Sequence, residues 1–168
     1  MAYTISGPIG TIGEGAFQAA GKAQLQGITE VVATTPRYPL GTIVEATDDL
    51  GHKAKFMYAI GVASLAAGDA VDFAAGAFVP TRTLAATIGK FAVAMGAIGA
   101  TSYGWFAISG EVPVNVLTSC AINPAYTTAT AGSLDDAVVA GSEIPGGFFI
   151  TAISGGLCYL QFPETTMV

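Results

Sequence analysis

From Tyr38 onward the chain alternates between short apolar runs and clusters of turn-forming residues. GTIVEAT, KFMYAIGVA, DAVDFAA, GAFVP, KFAVAMGAI, GWFAISG, VPVNVL, AYTTATA, GGFFITAIS and LCYLQFP read as β segments, separated by DDLG, AAGD, AAG, GATSYG, TAGSLDD, IPGG and SGG. Many short strands at this spacing predict a mainly β fold: a compact β-barrel or β-sandwich of short antiparallel strands. In the Asp48-Asp49-Leu50-Gly51 turn, the glycine supplies the positive φ that tight hairpins need. Residues 1–36 differ. They form an extended, Gly-rich N-terminal arm in which AFQAAGKAQLQGI suggests a short helix from Ala16 to Gln26, weakened at Gly21 by about 1 kcal/mol relative to Ala. Residues 37–168 then form the β domain.

Alternation along Tyr103-Gly104-Trp105-Phe106-Ala107-Ile108 sends Phe106 and Ile108 to one face of their strand and Tyr103 and Trp105 to the other. Both faces carry large side chains, so either this chain covers both or one meets a partner. Trp and Tyr are favoured binding anchors. The candidate interface residues are therefore Tyr38, Tyr103, Trp105 and Tyr159, joined by the apolar positions of the arm: Tyr3, Ile5, Ile9, Ile12 and Phe17. Identities also recur at an offset of 56: Gly76 with Gly132, Ile88 with Ile144, Tyr103 with Tyr159, and Phe106 with Phe162. They read either as duplication, with two related β units at 54–106 and 110–162, or as coincidence in a chain rich in few residue types.

Composition narrows the function. Hydrophobic residues make up 52% of the chain and charged ones 11%, against about 25% charged in an ordinary soluble domain. A surface this poor in charge suits contact with other protein. The net charge is −6 and the six basic residues are scattered, which excludes a phosphate-binding face. Residues 91–110 and 144–163 are uncharged and long enough to span a bilayer, but Gly, Ser, Thr and Pro cut each into strand-length pieces. No signal peptide and no membrane segment are expected.

Reactive chemistry is sparse. His52 is the single histidine and sits beside a turn, without further imidazoles to complete a metal site and without a G-x-S-x-G serine elbow. Asp48-Asp49 and Asp135-Asp136 lie in predicted turns, where Asp caps backbone N–H groups. Cys120 and Cys158 have no zinc spacing and read as small buried hydrophobes, with a disulfide between them as the other option. Gly10-x-x-Gly13-x-Gly15 is not a dinucleotide fingerprint. The expectation is no catalytic residue, no cofactor, no metal, and no enzyme.

The succession RYPLGTIVEATD, AAGDAVDF, SYGWFAISGEVPVNV and NPAYTTATAGSLDDAVVAG resembles the head decoration, or cement, proteins of tailed bacteriophages, over about Arg37 to the C-terminus. Its most specific part is Tyr103-Gly104-Trp105, then Val114-Asn115-Val116 and Thr127-Thr128-Ala129-Thr130-Ala131-Gly132. The resemblance implies a virion structural protein on the outer capsid surface, assembled in the host cytoplasm. Its implied partners are the major capsid protein and further copies of itself, commonly as trimers, and it brings no catalytic residues. Two other readings stay open: a different virion component, or a receptor- or glycan-binding module with Tyr103, Trp105 and Tyr159 as a stacking platform. Deleting residues 1–35 is expected to leave a folded β domain, checked by far-ultraviolet circular dichroism, while weakening attachment to heads.

Overall fold

The computed structural model describes residues 32–48, 51–85, 89–118, 120–138, 140, 142–152 and 157–164, with residues 3–5 and 48 in backbone only. The helix expected over 16–26 lies outside the described residues. The strands are β1 (Tyr3–Ile5), β2 (Ile43–Asp48), β3 (Lys53–Ile60), β4 (Ala70–Phe73), β5 (Pro80–Arg82), β6 (Lys90–Ala94), β7 (Tyr103–Asn115), β8 (Pro124–Thr127), β9 (Leu134–Asp135), β10 (Glu143–Phe149) and β11 (Leu157–Phe162). All pair antiparallel in one sheet curled into a half-barrel, and no helix occurs among the described residues. The fold class read from the sequence is the one observed.

β7 organises the sheet. Along one edge it pairs with β3 from Tyr103 to Gly110. Along the other it pairs first with β6, at Phe106 and Ala107, and then with β11, from Gly110 to Asn115. The change of partner coincides with a β-bulge. Lys55 faces Ser109 but Phe56 faces Ala107, so Ile108 is an extra residue on β7. Because side chains alternate with period two, one extra residue reverses which set faces which side. Before the bulge, Trp105 and Ala107 join one core cluster while Phe106 and Ile108 join another; after it, Val112 and Val114 join the cluster of Trp105. The sequence alternation around Trp105 holds, and this chain covers both faces.

The strands fall into two units with the same order. Numbered within each unit, the sequence β3-β7-β6-β4-β5 and the sequence β7-β11-β10-β8-β9 both run first, fifth, fourth, second, third. The first half of β7 closes one unit and its second half opens the next. Each unit also returns on itself at one end: the Ile60 N–H donates to the Phe78 carbonyl, and the Leu117 N–H to that of Leu134 (both 2.9 Å), beside a Val116–Leu134 bridge. Corresponding strands begin 54 residues apart from Ala70 to Pro124, Pro80 to Leu134 and Tyr103 to Leu157, and 53 apart from Lys90 to Glu143. The sequence identities fall at 56 instead, so Tyr103 opens β7 whereas Tyr159 stands third in β11.

Local differences from the sequence reading have simple causes. GAFVP is a turn and approach rather than a strand: Gly76 takes φ 70°, the Ala77 N–H donates to Ala74, and only Pro80 enters β5. TAGSLDD, read as a turn, holds β9, whose two residues pair with Tyr126 and Thr127. GWFAISG and VPVNVL are one strand, because pairing with β3 runs up to Gly110 and pairing with β11 starts at the same residue.

Gly110 is a tight point of this arrangement. Its φ is 100°, and a Cβ there would lie 2.1 Å from the Lys53 carbonyl oxygen and 2.5 Å from Ala54 Cα. Gly110→Ala combines backbone strain with a clash against a paired strand and is expected to lower stability by about 3 kcal/mol, read as a fall in the urea midpoint. Gly51→Ala, at φ 91° with open space around it, carries strain alone and is expected to lose about 1 kcal/mol.

Candidate functional site

Among the described residues, three clusters and one cavity gather chemistry-bearing side chains. The aromatic one is built where β3 and β7 run side by side. Tyr58 pairs with Trp105 across the strands, their rings 5.1 Å apart, and Tyr38 packs on both, at 5.2 and 5.3 Å. Tyr103 stacks on the far side of Tyr58, at 6.4 Å. The Tyr58 hydroxyl accepts the Arg37 N–H at 3.1 Å, whereas the buried Trp105 indole N–H has no hydrogen-bond partner. Trp105 is 1% exposed. It is a core residue, and this corrects its reading as a surface anchor: the sheet curls over it and Tyr38 covers what remains. A stacking platform centred on Trp105 has no open face. Burial raises the Tyr38 phenol above its ordinary pKa.

A second cluster ties the two units together. The buried Asp69 carboxylate accepts the Asn115 side-chain amide and the Ala66 N–H, both at 2.9 Å, and lies 2.9 Å from Arg82 Nε, whose N–H points too far off line for a hydrogen bond. Asn115 ends β7 and donates its backbone N–H to Gly68 at 2.8 Å; the Ala70 N–H donates to Gly132 at 2.8 Å. Asp69 thus sits where β4, β5, the end of β7 and the β8–β9 turn meet. Nearby Asp72 takes the Gly89 N–H on one oxygen at 3.1 Å, and its other oxygen is buried without a partner. Desolvation pushes the Asp72 carboxyl up, partly opposed by that hydrogen bond.

The third cluster is sulfur and carboxylate. Cys120 precedes β8, Asp135 closes β9, Asp136 follows it, and ligand atoms of all three lie within 4.8 Å of one another. Cys158, on β11, neighbours Cys120, whose thiol donates to the Ala121 carbonyl at 3.8 Å; both thiols are free and buried. Desolvation, with the neighbouring thiol and carboxylates, pushes Cys120 up to about 12, and burial also raises Cys158. Asp136 is held lower than usual, chiefly by the Asn123 amide (2.9 Å) and also by the Ala121 N–H (3.2 Å). At neutral pH Cys120 is a protonated thiol and a poor nucleophile. Of the described residues, these are the ones whose donor atoms could hold a metal. Of the two acids that sequence reasoning assigned to turn capping, Asp135 caps the Asp136 N–H within the turn, while Asp136 reaches across to Ala121 and Asn123; both are also brought against the Cys120 thiol.

The fourth feature is a cavity of about 200 Å³ lined by Phe91, Ile144, Pro145, Phe162 and Glu164 among others. It is smaller than most small-molecule sites, which run from about 300 Å³, and offers one carboxylate. Phe91 and Phe162 meet edge to face at its wall, 5.0 Å apart.

Of the other sequence-derived candidates, Tyr38, Tyr103 and Tyr159 are half-buried. Tyr159 lies away from the aromatic cluster, its ring 4.4 Å from that of His52. Tyr3 and Ile5 belong to β1, which pairs with β2 at Asp48, Thr47 and Ala46. Ile9, Ile12 and Phe17 lie outside the described residues. Sequence reasoning passed over Asp69 and Asn115, whose importance comes from contacts 46 residues apart that no local pattern records. No family model, curated protein or solved structure matches the chain.

Asp69→Ala strands Arg82 and Asn115 and is expected to destabilise by about 3 kcal/mol in urea unfolding. Asp72→Asn is expected to do the reverse. An acid whose folded pKa lies above its unfolded value penalises the folded state at neutral pH, and the penalty fades as pH falls through the folded pKa. The Asn variant should therefore be more stable than the parent at pH 7, with a gain that shrinks on acidification.

Proposed function

We propose that the chain is a structural protein of a tailed-phage head, binding the outer capsid surface and stabilising the shell. The observation that carries this reading is the pair of exposed apolar side chains at matching places in the two units. Leu84, 47% exposed, and Val138, 81% exposed, each stand four residues past the start of an outlying strand, β5 and β9. Val79, Ile122, Phe148 and Leu157 add exposed apolar surface on strands and strand approaches of both units, and Ile43 adds more on the neighbouring β2. With 11% charged residues overall, such edges lose little hydration when covered by protein. Two similar edges held rigidly apart suit a shell whose own surface repeats, since contacts made together gain by multivalency. The succession of motifs that resembles decoration proteins supports the same role.

Purified protein added to expanded heads lacking it should bind at saturation and raise their resistance to heat. Failure to bind such heads would end the reading. Leu84→Asp combined with Val138→Asp should leave the circular dichroism and melting temperature of the free protein unchanged while weakening head binding about tenfold or more, roughly 1.4 kcal/mol, as measured by co-sedimentation.

A further inference from the structure

We propose that Cys120, Asp135 and Asp136 form a binding site for a borderline-soft divalent cation such as Zn²⁺ or Cd²⁺, with Cys158 beside the Cys120 sulfur.

Two independent features meet at this place. One is the thiol pair: Cys120 and Cys158 come from different parts of the chain and lie side by side, both free and buried. The other is the carboxylate pair on the solvent side, both half-buried. Each carboxylate is already oriented, because Asp135 accepts the Asp136 N–H at 2.9 Å and Asp136 accepts from Ala121 and Asn123. Ligands fixed in this way by outer hydrogen bonds are typical of metal sites. Tetrahedral zinc with bonds of about 2.0–2.3 Å holds its ligand atoms about 3.3–3.8 Å apart. The three groups lie within 4.8 Å, so closing on an ion takes a movement of about 1 Å, within the reach of side-chain rotation. One sulfur and two oxygens favour zinc or cadmium over magnesium or calcium, which take oxygen alone. Open coordination positions would be filled by water.

Binding replaces the Cys120 thiol proton by the metal. One proton goes to solvent, the thiolate sulfur bonds to the cation, and the Cys158 S–H lies beside that sulfur. The site ties the segment before β8 to β9 and, through Cys158, to β11, so a bound ion would brace the second unit.

The test is Cd²⁺ titration of the reduced full-length protein, followed by the sulfur-to-cadmium charge-transfer band in the ultraviolet. One equivalent should produce a saturable band, release one proton, and bind about tenfold more tightly per unit rise in pH. Cys120→Ala should abolish the band, Asp135→Asn should weaken binding at least tenfold, and Cys158→Ala should weaken it while leaving the band. Zn²⁺ should compete and should raise the melting temperature of the parent but not of Cys120→Ala. No band, a band that survives Cys120→Ala, or a purified protein whose two cysteines are already a disulfide by mass would each overturn the proposal. Asp135→Asn, which can keep the acceptor for the Asp136 N–H, serves as the carboxylate test if Cys120→Ala fails to fold.

Discussion

The extra residue at Ile108 decides how this molecule is built. Without it, the face of β7 that carries Phe106 and Ile108 would continue into Val112 and Val114, and the cluster around Trp105 would lose the second half of the strand. With it, the second half of β7 turns Val112 and Val114 toward the cluster that holds Trp105. At the same place the neighbouring strand changes from β6 to β11. Gly110 makes the step sterically feasible, since its φ of 100° brings it against the Lys53 carbonyl where no side chain fits. A single backbone irregularity thus lets one strand belong to two units.

Sharing a strand joins the units more firmly than a linker would. The polar contacts around Asp69 add a second connection at the far end of β7, through Asn115, Gly68 and Gly132. The result is one body with two similar edges in fixed relation, and the proposed attachment to a repeating protein shell depends on that rigidity. The aromatic cluster serves the same end: Trp105, Tyr58 and Tyr38 fill the face of the sheet that the curl closes. Function in this reading belongs to edges and loops, while the largest side chains hold the scaffold.

Much of the fold was legible because strands leave a local mark. The period-two alternation around Trp105 and Phe106, and the glycines in the turns, follow from backbone geometry that each segment carries by itself. The burial of Trp105 was not legible, since alternation places a side chain on a face but says nothing of what lies over it; Tyr38, 67 positions earlier, does so. The bulge was hidden for the same reason: a strand with one extra residue looks in sequence like two strands, GWFAISG and VPVNVL, parted at Glu111. The clustering of Cys120 with Asp135 and Asp136 left no motif, because β8 and the turn after it, rather than a fixed spacing, bring them together. Asp69 likewise looks like any turn aspartate until its contact with Asn115 is seen.

Native-state hydrogen exchange along β7 tests the central claim most directly. If one strand holds both units as a single body, the paired amides before the bulge and those between Glu111 and Asn115 exchange only through the same global unfolding, with one free energy and one urea dependence. Exchange of the second stretch through a separate opening, at a lower free energy than the first, would mean that the two units are independent and the account is wrong.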